Sequence, residues 1–388
     1  MNSAGPLRGI RVVELPSIGP IQFAGMMLSD LGAEVLRVDR AADVARGAAF
    51  VSPYSVVDRG RRSVGVDLKH PDGAGVVLDL AARADVLIEG MRPGVAERLG
   101  VGPDACRARN ERLVYGRMTG WGQDGPLAGD PGHDVNYLSI AGVLHHIGNA
   151  GGPPTIPLNL VADLGAGGML LVTGILAALV ERATSNAGQV VDAAMVDGSA
   201  LVMGIFFGLD AMGYWHPERG TNLLDGGAHF YNVYETADAK FVSIASYEPK
   251  FYAELLRVLQ QHGPDLHDLD PADQMDESQW PALKLRLAAL FRTKTRAEWV
   301  DALAGHEICF APVLTMSEAR AHPHNVTRGV FADVDGAPHP RPAPRFDRTP
   351  GAIARAPVAP GTDTDAALAD WGIGADRVAA LRAGGAVA

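Results

Sequence analysis

Between residues 10 and 118 the chain alternates short runs of β-branched and aliphatic residues with amphipathic helical stretches. That alternation constrains the fold more than any other feature. Residues 10–15, 34–38, 63–68, 85–89 and 112–118 read as strands, and 22–31 and 73–83 read as helices. Strands joined through a helix cannot pair as hairpins. They predict βαβ units and a largely parallel sheet covered on both faces.

Past Gly132 the pattern turns helical, with helices predicted over 134–146, 164–181 and 192–207. A smaller unit begins near Asp225. Residues 230–235 and 240–245 flank the turn Ala237-Asp238-Ala239 and predict a hairpin. Helices follow over 249–260, 280–291 and 296–304. The proline-rich stretch 338–350 reads as an extended return segment, and 364–381 as helix.

Composition narrows the function. At 388 residues the chain is long enough for roughly two or three domains. A net charge of -11 with no basic block argues against a nucleic-acid partner. Its two cysteines, Cys106 and Cys309, lie far apart without metal-ligand spacing, so neither a disulfide framework nor a metal site is expected. The first residues lack the pattern of a secretion signal, and the most apolar helical stretch, 169–180, is too short to span a bilayer. The expectation is a cytoplasmic protein with no membrane partner.

The turn after the first strand, Pro16-Ser17-Ile18-Gly19-Pro20, lacks the glycine fingerprint of a dinucleotide site, which argues against a nicotinamide cofactor. Basic residues collect near predicted strand ends instead: Arg40, Arg59, Arg61, Arg62, Lys69, Arg92 and Arg98. Guanidinium groups match phosphate oxygens through paired hydrogen bonds, so the cluster fits a phosphate-bearing ligand.

Gly132-His133-Asp134 stands just before a predicted helix, and Asp163 opens a glycine-spaced one with Gly165, Gly167 and Gly168. An imidazole and a carboxyl group facing one carbon can remove a proton on one side and return it on the other. Unpaired amides at a helix start can hold the oxyanion that forms between the two steps. Asp134 and Asp163 would also serve as plain helix caps. Glu248, ahead of Pro249 at another helix start, reads either as a cap or as a group that orients the imidazole.

These segments resemble the family III CoA-transferase superfamily, in its α-methylacyl-CoA racemase branch. The likeness runs through residues 9–15, 31–35, 85–94, 117–123, Gly132-His133-Asp134, 191–198 and 311–313. It implies a large doubly wound, Rossmann-like parallel-sheet domain over 1–224 and 326–388, and a small α+β domain over 225–325. It implies an interlocked homodimer and an acyl-CoA substrate, with no metal or redox cofactor. His133 and Asp163 would exchange the α-proton on opposite faces, Glu248 would hydrogen-bond His133, and the backbone N–H of Asp134 would hold the enolate oxygen. Arg59 and Arg98 would support the site and contact CoA. Arg40, Leu68, Lys69, Gly90, Arg92 and Tyr137 would line the CoA path. Met195, Met203 and Met212 are candidates for an acyl-binding surface. The alternative within the superfamily is a CoA-transferase with Asp134 as nucleophile.

Overall fold

The computed structural model describes residues 5–44, 46, 52 and 54–388. It divides into two compact units, one formed by residues 1–141, 158–202 and 328–388, the other by 142–157 and 203–327. Residues 142–157 and 203–224, expected in the large domain, thus fall in the second unit.

The first unit is built on six parallel strands, β1 (Arg11–Glu14), β2 (Glu34–Arg40), β3 (Arg62–Val66), β4 (Val86–Glu89), β5 (Val114–Thr119) and β6 (Val190–Ala194), in the order β3-β2-β1-β4-β5-β6. Its helices are α1 (Pro20–Asp30), α2 (Ala41–Val44), α3 (Gly73–Ala81), α4 (Val95–Arg98), α5 (Pro103–Arg109), α6 (Asp134–Ile140), α7 (Leu170–Ser185) and α8 (Met195–Val202). Five of the six strands fall where the sequence predicts strand, and their central residues are buried, as in a sheet covered on both faces. On one face Val13, Leu36, Val64 and Leu87 pack with α3 and with Leu368, Trp371 and Val378 of the C-terminal helices Thr364–Asp370 and Ala375–Gly384. The chain end joins the same sheet edge, where Val387 bridges Val66. Strands β10 (Phe331–Val334) and β11 (Ala337–Pro340) form a separate antiparallel pair, so the return segment is partly strand.

Two expectations need correction. The stretch 192–207, expected to be helix, begins with β6, which pairs in parallel with β5 from Tyr115↔Val190 to Thr119↔Ala194. Strand passes directly into α8 with no glycine or proline between them, so the boundary carries no turn signal.

The second correction concerns the helix expected over 164–181. It runs from Leu160 to Ser185, the first ten residues (Leu160–Met169) as a π-helix continuous with α7. With 26 residues and a mean hydropathy of 1.9 over an 18-residue window, it is long and apolar enough to cross a membrane, contrary to the expectation that no segment reaches that length. In this fold it is a packed helix: Leu171 and Ile175 lie over Gly116 of β5. A Cβ on Gly168 would come within 2.9 Å of the Pro20 carbonyl, so its glycines admit α1 at close range.

The second unit holds the antiparallel sheet β7 (Tyr231–Glu235), β8 (Phe241–Ala245) and β9 (Phe310–Val313). Its core gathers Phe230, Tyr234, Tyr252, Trp280, Phe291 and Trp299, partly from the helices Pro249–Leu259, Trp280–Phe291 and Arg296–Leu303.

Candidate active site

The strand order reverses direction between β1 and β4, and ligands of such sheets bind beyond the carboxyl ends of the strands at that point. Cavities open there. The first, about 320 Å³, is lined by Ile18, Gly19 and Ile21 after β1, Gly90, Met91 and Arg92 after β4, Gly120 and Trp121 after β5, and Met195 after β6. His133, Tyr137, Asp163, Met118 and Asp130 are also in its wall. The second, about 600 Å³, lies beyond β2 and β3 and is lined by Arg40, Leu68 and Lys69 with Pro16, Val95 and Leu99. Met91 lines both.

His133 is the N-cap of α6, in extended backbone, with its N–H donating to Asn136 Oδ1 at 3.1 Å. Its ring is exposed at the first cavity. The preceding Gly132 is required by packing: a Cβ there would lie 2.7 Å from the Tyr137 ring, which turns back under the loop and donates its hydroxyl to the Gly132 carbonyl. Burial raises the Tyr137 hydroxyl above its usual range, and the Asp163 charge adds to the effect. Tyr137 packs edge-on against Trp121 with ring centroids 4.8 Å apart.

Asp163 is half-buried, inside the first turns of the π-helix rather than at its cap, which is Asn159. Asn159 Nδ2 donates to Asp163 Oδ2 at 3.3 Å. Burial raises the Asp163 carboxyl above the usual carboxylate value. The Asp134 charge pushes the same way, while the Asn159 hydrogen bond and His133 oppose it. A carboxyl raised in this way holds a proton more readily, as a base that must return one requires.

Asp134 does not cap its own helix. It is 5% exposed, is absent from the cavity wall, and accepts the Ala162 and Asp163 amides at Oδ2, at 2.8 and 2.9 Å. Its carboxylate is turned to those two amides and not to the cavity. Its backbone N–H is one of the unpaired amides opening α6.

Of the basic residues, Arg40 and Lys69 line the second cavity and Arg92 the first. Arg98 is exposed on α4, whose Val95 and Leu99 flank line the second cavity. The remaining three point elsewhere. Arg59, expected to contact CoA, is 1% exposed and bonded to Asp30 and to the Pro340 carbonyl, the latter at 2.7 Å. Arg61 is buried on Glu14 and Asp58, and Arg62 pairs with Asp370. Arg59 and Arg61 satisfy buried carboxylates and act as struts of the fold, while the partner of Arg62 is an exposed carboxylate. Glu248 belongs to the second unit, exposed as the N-cap of the helix Pro249–Leu259. Met203 and Met212 also lie in that unit.

The match to the description CoA-transferase family III spans residues 7–365, through both cavities. The chain belongs to that family. It is 42% identical over 377 residues to the alpha-methylacyl-CoA racemase of Mus musculus, covering 97% of this chain and 96% of that protein. It is 42% identical to the Homo sapiens protein of the same name, covering 89% and 87%. Among solved structures, a CAIB/BAIF family protein from Brucella suis matches with a TM-score of 0.81 at 25% identity, over 95% of this chain and 100% of that one.

Within this family III fold, sequence reasoning missed Met91, Met118, Trp121, Asp130 and Asn159. Met91 stands between Gly90 and Arg92, and only the fold makes it shared between the two cavities. Asn159 had a signal, since a residue four before Asp163 on a helix shares its face.

Proposed function

We infer that this chain interconverts the R and S epimers of 2-methylacyl-CoA thioesters by 1,1-proton transfer. The observation that carries the reading is the presence of His133 and Asp163 in the wall of one cavity, in a chain 42% identical to alpha-methylacyl-CoA racemases.

With the α-carbon between the two side chains, neutral His133 removes the proton of the S epimer. The electron pair of the breaking C–H bond moves onto the thioester oxygen, and the Asp134 amide donates to it. Protonated Asp163 then delivers its proton to the opposite face, and the C–H bond that forms completes the R epimer. The reverse reaction begins with ionised Asp163. Both bases return to their starting states by proton exchange with solvent, so the chemistry calls for no metal or redox group.

The second cavity suits the CoA portion, with Arg40 and Lys69 at its wall to meet phosphates and Met91 where the thioester arm would pass. Arg92 and Arg98 would add charge along that path, with Gly90, Leu68 and Tyr137 in contact with the ligand. Met91, Met118 and Met195 give the first cavity a pliable apolar wall for the acyl group. In an interlocked dimer, Glu248 of one subunit would orient His133 of the other. A homodimer is favoured by the helix Gly204–Ala211, which has no buried residue and exposes Ile205 and Phe207.

The test is incubation of a single 2-methylacyl-CoA epimer in deuterium oxide with no acceptor acid. Deuterium should enter at the α-carbon while the epimers equilibrate. A protein that leaves the α-proton in place, or works only once a second carboxylate is added, would end the racemase reading.

A further inference from the structure

The geometry points to Asp134 as the positioning residue for Asp163: its carboxylate pins the backbone of the second base to the loop that carries the first. His133 and Asp134 are consecutive, and Asp134 Oδ2 accepts the N–H groups of both Ala162 and Asp163. The helix bearing Asp163 is therefore held to α6 at the residue that must stand opposite the imidazole. Charge-assisted bonds of this kind are short and directional. The role goes beyond the racemase reading above, in which Asp134 acts only through its own amide, and it rests on that reading.

A second observation fits the same role. Asp134 Oδ1 is buried with no hydrogen-bond partner among the described residues. Buried unpaired oxygens are rare and need a reason. Left unneutralised, the charge acts on its neighbour, which would favour the protonated form of Asp163. The titratable groups that interact with Asp163 are Asp134, His133 and Tyr137, and Arg92 and Asp130 line the same cavity. The contacts that α1 and α8 bring to this helix at Gly167 and Gly168 are Pro20, Phe23 and Met195, none of which titrates.

Two variants of the full chain separate tether from charge. In Asp134→Asn the side-chain carbonyl still accepts both amides and only the charge is lost. The acid limb of the kcat/KM profile, which reports Asp163, should move to lower pH. In Asp134→Ala the tether is gone, and kcat should fall by about 100-fold, as for a misplaced catalytic group, with KM little changed. Hydrogen–deuterium exchange of residues 160–169, read by mass spectrometry, should quicken in Asp134→Ala and stay near wild type in Asp134→Asn. An unmoved acid limb in Asp134→Asn overturns the proposal, as does wild-type protection of that segment in Asp134→Ala. If exchange follows the expected pattern in a protein without α-proton exchange, the tether stands and the racemase reading falls.

Discussion

Arg59 and Asp30 form a buried pair, with Nη2 2.5 Å from Oδ2 and Nε 3.1 Å from Oδ1, closed off by the Pro340 carbonyl. The arginine that the family resemblance would send to CoA is engaged inside the protein. Removing one partner of such a pair strands the other charge away from water.

Arg59→Ala should therefore lower unfolding stability by about 3–5 kcal/mol, because Asp30 is left uncompensated. Lys69→Ala should change stability by no more than about 0.5 kcal/mol and raise the KM for CoA thioesters. Urea unfolding and steady-state kinetics of both variants check this. Wild-type stability in Arg59→Ala would contradict the structural assignment.

Gly120 is held open by the Tyr137 ring, since a Cβ there would overlap it. Gly120→Ala must displace the ring that braces the His133 loop. The cost should be about 1–3 kcal/mol of stability, with a loss of kcat beyond what partial unfolding explains. Thermal melts and kinetics below the transition give both quantities.

The two faces of the substrate should respond unequally to loss of one base. His133→Ala should slow deuterium entry from the S epimer more than from the R epimer. Single-epimer exchange followed by mass spectrometry decides it, and equal losses would contradict the assigned faces.

Stability should also depend on pH through a group remote from the cavity. His229 is 0% exposed, its Nε2 bonded to the Tyr252 hydroxyl at 2.7 Å and its Nδ1 unpaired, and burial pulls its pKa from 6.5 to about 4. The unfolded chain takes up a proton below pH 6.5 while the folded chain resists until about pH 4. Stability is thus fully present above pH 6.5 and declines as pH falls toward 4. The loss attributable to this group is about 3 kcal/mol. Urea unfolding at intervals across that range should show the slope in wild type and a shallower one in His229→Gln.

The alternation of short strand and helix patterns made the parallel sheet legible, because β1 to β4 each carry at least two aliphatic residues and helical stretches separate them. His133 stands at a helix start as its glycine-flanked position predicts, whereas Asp163, expected to open a helix, lies inside one that begins at Leu160. Strand β6 stayed hidden because it runs into α8 without a turn residue. The arginines misled because charge and position near a strand end do not reveal what a side chain reaches. Arg40 and Lys69 line a cavity, while Arg59 and Arg61 turn inward to Asp30 and Glu14. Asp134 divides the two kinds of knowledge. Its place beside His133 is written in the chain, but its partners lie 28 and 29 residues further along. Local pattern determines which elements form. Which buried charge meets which amide is decided only when the elements pack and every polar group shut off from water must find a partner.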